Sequence, residues 1–339
     1  MIRKMALGLV IFLVICGAVY LHFHHAAPAL GTVYAGERGL TLYNSSAQVR
    51  EPVGTVNYGE PLSIEQQFGD QVQVKTTKGL VGWTASDDVI SSQIWEEEKE
   101  LNAKTADETP EAHGSTAVIS NLHLEPGREA PRVRQLKKDV PVELFAREPE
   151  TIPQTVVPGE EPVSDTDSGD ASGLPKKEDW WLVRARVGDD SYVSGWMLGR
   201  FIDLDVPEPL PDYASTANMR IVAWFPLNPA ADANGHEVPQ YLLVGTDRPE
   251  GGACDFTMMR VFTWSKKKAQ YETAFVDGDV CGKLPVQIVR LPVAQIVTMT
   301  FKDPSDGSQQ VYRMQQTIVR HVMGGDEGKK VAVERKEGR

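Results

Sequence analysis

Few residues of this chain have the type and spacing for chemistry. Cys254 and Cys281 fall in the last third of the sequence, in one stretch with His236 and His321. A cysteine nucleophile needs an imidazole to take its proton and a helix N-terminus or cation to stabilise the thiolate. Cys254 sits in Gly251-Gly252-Ala253-Cys254-Asp255-Phe256, among residues whose pattern predicts strands, so no helix is expected to host it. Two cysteines in one exported domain read instead as a disulfide, Cys254 to Cys281. Cys16 lies apart, in an apolar N-terminal run.

Metal chemistry fares no better. His22-Phe23-His24-His25 would chelate a transition metal only in a fixed geometry, and it flanks the apolar run, where histidines serve as a polar border. Asp165-Thr166-Asp167-Ser168-Gly169-Asp170 has the oxygen atoms of a calcium loop but lacks the closing bidentate glutamate. His113 and His123 are isolated. No glycine-rich phosphate loop and no Gly-x-Ser-x-Gly occurs. No catalytic residue, metal or cofactor is expected, and the chain does not read as an enzyme. A net charge of −12, with no basic cluster beyond Lys266-Lys267-Lys268 and the chain end, argues against a nucleic-acid partner.

What remains is aromatic. Tyr43, Tyr58 and Trp83 in the first third, and Trp180, Trp181 and Trp196 further on, could line a groove for an extended peptide. Trp83, Trp181 and Trp196 suit a core. Trp180 neighbours Trp181 on one strand, so alternation sends one inward and the other outward. Trp180 is taken as the outward one and the leading binding candidate, with Tyr43, Tyr58, Trp83 and Trp196 beside it.

These side chains need a scaffold, and the scaffold needs a location. Arg3 and Lys4 precede an uncharged apolar run from Met5 to Leu21. Positive charge before such a run keeps the N-terminus in the cytoplasm. The segment 1–25 is therefore expected to be a single-pass anchor in the cytoplasmic membrane, with the body on the periplasmic or extracellular side. Cleavage after Ala29, in an A-x-A pattern, is the second reading. A lipoprotein at Cys16 ranks third, because Ile15 is bulky where processing wants a small residue.

Residues 32–90 alternate apolar and polar in short bursts: Leu40 to Tyr43, Leu62 to Glu65, Val72 to Lys75, then Gly82-Trp83-Thr84. Five short strands in about 60 residues predict a small barrel. Ser91 to Ala106 reads as a charged amphipathic helix capped by Ser91 or Ser92, and 91–115 as spacer and linker. A second barrel, 116–206, repeats the first. Leu122-His123-Leu124 aligns with Leu40-Thr41-Leu42, Leu136 with Val56, Trp181 to Val183 with Val72 to Val74, and Gly195-Trp196 with Gly82-Trp83. Within it, 147–179 is acidic and rich in proline and predicts a disordered excursion.

The opening Leu-x-Leu strand, the Gly/Asp turn before alternating apolar residues and the late Gly-Trp strand resemble bacterial SH3 domains, the SH3b family of envelope proteins. The resemblance covers both segments apart from the excursion. The family's early arginine is missing, since Gly39 and Asn121 stand where it would be. The resemblance implies a non-enzymatic protein whose barrels bind cell-wall peptide or an envelope protein. A purely structural spacer, or a cell-wall hydrolase using Cys254, are the alternatives. Residues 214–323 predict an antiparallel β domain of about seven strands, and 324–339 a charged tail. The expected fold class is mainly β: two SH3-like barrels, then an antiparallel β domain, behind a membrane helix.

Overall fold

The computed structural model describes residues 30–152, 176–188 and 191–322. The expected membrane segment at 5–21, most of the acidic excursion and the charged tail lie outside the described residues. Among those described, no helix is long and apolar enough to cross a membrane. The chain is mainly β, built of antiparallel sheets, and divides into two compact units after Glu96.

The first unit holds β1 (Gly31–Ala35), β2 (Leu40–Tyr43), β3 (Pro52–Val56), β4 (Pro61–Phe68), β5 (Gln71–Thr76), β6 (Val81–Ala85) and β7 (Val89–Ser91). They form one antiparallel sheet in the order β3-β2-β6-β5-β4-β1-β7. The alternation that predicts strands also sorts their faces: β5 buries Val72, Val74 and Thr76 and leaves Gln71, Gln73 and Lys75 between them half-exposed. Leu40, Leu42, Val56, Leu62, Val72 and Val74 pack together as the core. The sheet has seven strands where the pattern predicts five. The β1 segment contributes only Val33 and Ala35 to that core, too little alternation to stand out.

Helix α1 (Ser92–Ala106) starts as predicted, with the Ile94 N–H donating to Ser91 Oγ at 3.2 Å. An N-cap of this kind stabilises a helix by about 1 kcal/mol. In the first unit, Trp95 stacks on Tyr34 at 4.9 Å and meets Tyr58 edge-on at 5.4 Å. Gly59 is required beneath it: φ is +73°, and a Cβ would lie 2.6 Å from the indole.

The second unit contains β8 (Ala112–Thr116), β9 (Ser120–His123), β10 (Arg132–Leu136), β11 (Pro141–Thr151), β12 (Lys177–Arg186), β13 (Tyr192–Leu198) and β14 (Ile202–Leu204). Their order, β10-β9-β13-β12-β11-β8-β14, reproduces that of the first sheet strand for strand. Within this unit the later turns of α1 pack on the sheet. Thr105 Oγ1 lies 2.8 Å from Ser194 Oγ, and Arg184 donates to the Thr105 carbonyl at 2.8 Å.

Two predicted boundaries move. The spacer and linker read over 91–115 ends earlier, because Ala112 to Ser115 belong to β8, an interior strand paired with β11 on one side and β14 on the other. The excursion does not begin at Arg147. Strands β11 and β12 continue pairing through Arg147↔Trp181, Glu148↔Trp180, Pro149↔Asp179 and Thr151↔Lys177, leaving 153–175 outside the described residues. Composition marks this stretch as unable to bury apolar surface, but ladder hydrogen bonds and ion pairs hold its ends.

Beyond β14, the run Pro207 to Pro211 has the proline density that predicts a hinge, but its end belongs to a helix, α2 (Leu210–Thr216). Proline is compatible with a first helical turn, so Pro211 does not exclude one. Leu210 and Ala214 pack with Tyr241, Leu243, Phe262 and Tyr271. The strands β15 (Arg220–Pro226), β16 (Ala230–Ala231), β17 (Glu237–Val238), β18 (Tyr241–Thr246), β19 (Met258–Ser265) and β20 (Gln270–Asp277) follow. Then come β21 (Lys283–Leu291), β22 (Ile296–Lys302), β23 (Gln309–Gln315) and β24 (Ile318–Val322). They make two four-stranded antiparallel sheets, β15-β18-β19-β20 and β21-β22-β23-β24, with β16 and β17 as a small hairpin. Cys254 and Cys281 are joined by a 2.05 Å S–S bond.

Candidate binding site

The register of the two seven-stranded sheets decides which residues correspond. Tyr43 pairs with Trp83 in the first, and His123 with Trp196 in the second. A Cβ on Gly82 would fall 2.7 Å from Leu42 Cβ and 3.1 Å from the Tyr43 carbonyl. On Gly195 it would fall 3.1 Å from Leu122 Cβ and 2.9 Å from the His123 carbonyl. Both glycines let the neighbouring strand approach at the same place. Leu122 therefore corresponds to Leu42, and His123 to Tyr43. The alignment by alternation, Leu122 to Leu40, is two residues out. Strand side chains repeat every second residue, so a slip of two keeps all apolar residues on the core face and the pattern cannot detect it.

With the register set, Trp180 occupies the place of Gln71. Trp180 pairs with Leu198, three residues after Gly195, and Gln71 with Ala85, three after Gly82. Trp180 faces away from the core as expected, but it is not available at the surface: it is 2% exposed and Trp181 5% exposed. Trp181 takes the core place of Val72. Trp180 lies on the opposite face but is covered, with the His123 ring edge-on at 5.3 Å. His123 is itself buried, and its Nδ1 lies 2.8 Å from the Ala130 carbonyl.

Over Trp180 and His123 lies a pocket of about 290 Å³. Asn121 and Gln135 supply amides to its wall, Leu198 and Phe201 apolar surface, and Arg128 and Arg200 two guanidiniums. Glu178 positions both arginines. It is two residues before Trp180 on β12, hence on the same face. Arg128 Nε donates to it at 2.8 Å and Arg200 Nη1 at 2.6 Å. The Arg128 hydrogen bonds, followed by those of Arg200, hold the Glu178 carboxyl below the usual range despite its burial.

Asp179, the one residue between Glu178 and Trp180, faces the other way, into a buried ion cluster. Arg147 pairs with Asp179 and, at 2.9 Å, with Asp255. It also donates to the carbonyls of Gly252 and Cys254 at 2.6 and 2.8 Å. Asp179 further accepts from the Gly251 N–H at 2.8 Å, and Asp255 from the Leu284 N–H at 2.8 Å. The end of β12 that carries Trp180 is thus clamped through its neighbouring residue to the disulfide-bearing loop.

The other aromatic candidates divide. Tyr43 and Trp83 are half-buried cross-strand partners, and Arg50 lies 4.0 Å above the Tyr43 ring. Tyr58 stands apart from them against Trp95, as part of the seat of α1. Trp196 is half-buried beside His123 but does not line the pocket. The sequence reading misses His123, Arg128 and Arg200. A correct register would have flagged His123, because it aligns with an aromatic candidate, Tyr43.

Comparison with known proteins finds no similar one: no protein family, curated protein or solved structure matches the chain.

Proposed function

We propose that the chain is a non-enzymatic, membrane-anchored envelope protein whose two seven-stranded sheets are SH3b-like barrels. The second barrel binds cell-wall peptide or an envelope protein. The observation that carries this reading is the pocket above Trp180, which has an aromatic floor, amide walls and two cations at its rim. Such a mixture of apolar surface and a few fixed polar groups is how peptide segments are held and oriented. Export is supported by the Arg3-Lys4 start before an apolar run and by the disulfide, a bond of oxidising compartments. That disulfide also counts against a hydrolase using Cys254, since the sulfur is bonded to Cys281.

A spacer role is the second reading. It is favoured by the Arg147 contacts, which tie the second barrel to residues 252–255 of the following domain.

The test is retention of the full chain, in detergent, on purified cell wall and on immobilised envelope proteins. Ile119, 64% exposed at the pocket rim, can be changed to Asn without disturbing the core. With Phe201→Asn it should cut retention while the unfolding midpoint stays put. Wild-type retention no better than that of this double variant, on both matrices, overturns the proposal and leaves the spacer.

A further inference from the structure

The two barrels share a strand order and a register, yet the matching sites differ in chemistry. In the first, the place is filled by the protein's own cation. Arg50, from the connection between β2 and β3, lies over Tyr43 at 4.0 Å and donates to Gln71 Oε1 at 2.8 Å. In the second, the equivalent connection sends Arg128 to Glu178, and the space over His123 and Trp180 stays open. The rim changes sign as well. Asp87 is the middle residue of the three-residue turn after β6, and Arg200 the middle residue of the turn after β13.

The charges in the second site are arranged for an anion. Among the described residues, the only charged side chains lining the pocket are the two arginines, and no carboxylate lines it. Glu178 lies beneath, 5% exposed at its side chain, against 48% for Arg128 and 37% for Arg200. Glu250 reaches Arg200 only at 3.8 Å. Arg128 spends Nε and Nη2 on Glu178, and Arg200 spends Nη1. A buried carboxylate that fixes two guanidiniums while leaving N–H groups over is a pre-oriented receptor for a second carboxylate. Glu178 offsets one of the two cations and the more distant Glu250 part of the other, so what the rim offers an anion is the N–H groups left over rather than a large net charge. In a chain of net charge −12 such a site is selective, since an anion is disfavoured over the surface at large.

We infer that the pocket of the second barrel receives the carboxylate of a peptide, with an adjoining apolar side chain against Phe201 and Leu198, and that the first barrel does not. The inference rests on the proposal that this pocket is the binding site. The carboxylate could be a chain terminus or an acidic side chain, and the test separates the two.

The probes are three peptides, titrated into the full chain and followed by calorimetry: acetyl-Ala-Ala-Phe with a free C-terminal acid, the same peptide amidated, and amidated acetyl-Ala-Glu-Phe. Binding of either acid at least about tenfold tighter than the neutral amide is expected, because a hydrogen bond to a charged group is worth that much or more. The tighter acid names the source. Arg200→Gln should erase the preference, and Arg50→Gln in the first barrel should leave it intact. Equal affinity for all three peptides, no binding of any, or a preference that survives Arg200→Gln overturns the carboxylate assignment. If wall or protein retention still depends on Ile119 and Phe201 in that event, the pocket remains the binding site and only its ligand chemistry is wrong. If that dependence is lost too, both fall.

Discussion

Replacing Arg147 by Met should unlock the second unit. The substitution keeps the unbranched apolar stem of the side chain and removes the guanidinium. Asp179 and Asp255, both about 2% exposed, then lose their shared cation, and the Gly252 and Cys254 carbonyls lose a donor. Stripping one partner from a buried ion pair costs about 3–5 kcal/mol. Each acid keeps some compensation here. Asp179 has Arg220 at 3.4 Å and the Gly251 N–H, and Asp255 has Lys283 at 3.5 Å and the Leu284 N–H. The loss therefore belongs at the low end, about 3 kcal/mol, or about 1 M in urea midpoint for an m-value near 3 kcal/mol/M. Urea unfolding of the full chain, read alongside hydrogen exchange of the β11 and β12 amides, localises the effect to this unit. Adding Asp179→Asn and Asp255→Asn to Arg147→Met should recover part of the loss, because neutral amides are cheaper to bury than unpaired carboxylates. A single variant within about 0.5 kcal/mol of wild type, a loss expected of an exposed pair, would refute the claim that these charges clamp β12.

Other expectations concern single groups. Burial pushes the Glu98 carboxyl up to about 7 from an ordinary 4.5, although the Ser194 N–H, Asn102, Arg134 and Lys99 all favour its charged form. The folded state then holds a proton that the unfolded state gives up, so stability falls as pH rises from about 4.5 to about 7. Glu98→Gln should flatten that decline and gain up to about 3 kcal/mol at pH 8, with little change at pH 4; equal pH slopes in the two proteins would sink the idea. Gly195→Ala should cost about 1–3 kcal/mol, since its Cβ meets the backbone of β9, which has no room to give; a neutral thermal melt would contradict the register. Replacing both Cys254 and Cys281 by Ala should cost about 3.5 kcal/mol for a sequence separation of 27, measured as a midpoint shift against the oxidised protein.

Much of the scaffold is legible in the sequence, for a definite reason. Alternation depends on adjacent residues, so Leu62, Val72 and Val74 report a strand and its buried face without reference to the rest of the chain. The Ser91 cap is equally local. The helix α2 was hidden by proline density, because proline is permitted at a helix start as well as in a hinge, and only the packing of Leu210 and Ala214 decides between them.

The site is another matter. Tryptophans 180 and 181 are visible as a pair, but alternation names only a face and cannot say what covers it. His123 covers Trp180 from β9, and Arg128, Glu178 and Arg200 come together from a loop, a strand and a short turn. Their meeting depends on register, the one property that a period of two leaves free to slip by two. The glycines of the two Gly-Trp pairs remove that freedom. Each accepts a neighbouring carbonyl within about 3 Å of where a side chain would begin, and each does so at the same strand position. Aligning the repeats on these contacts, rather than on hydrophobic residues, sets His123 against Tyr43, Trp180 against Gln71 and Arg200 against Asp87. The core then reads as duplicated and the site as diverged: one copy filled by its own arginine, the other left open above a tryptophan.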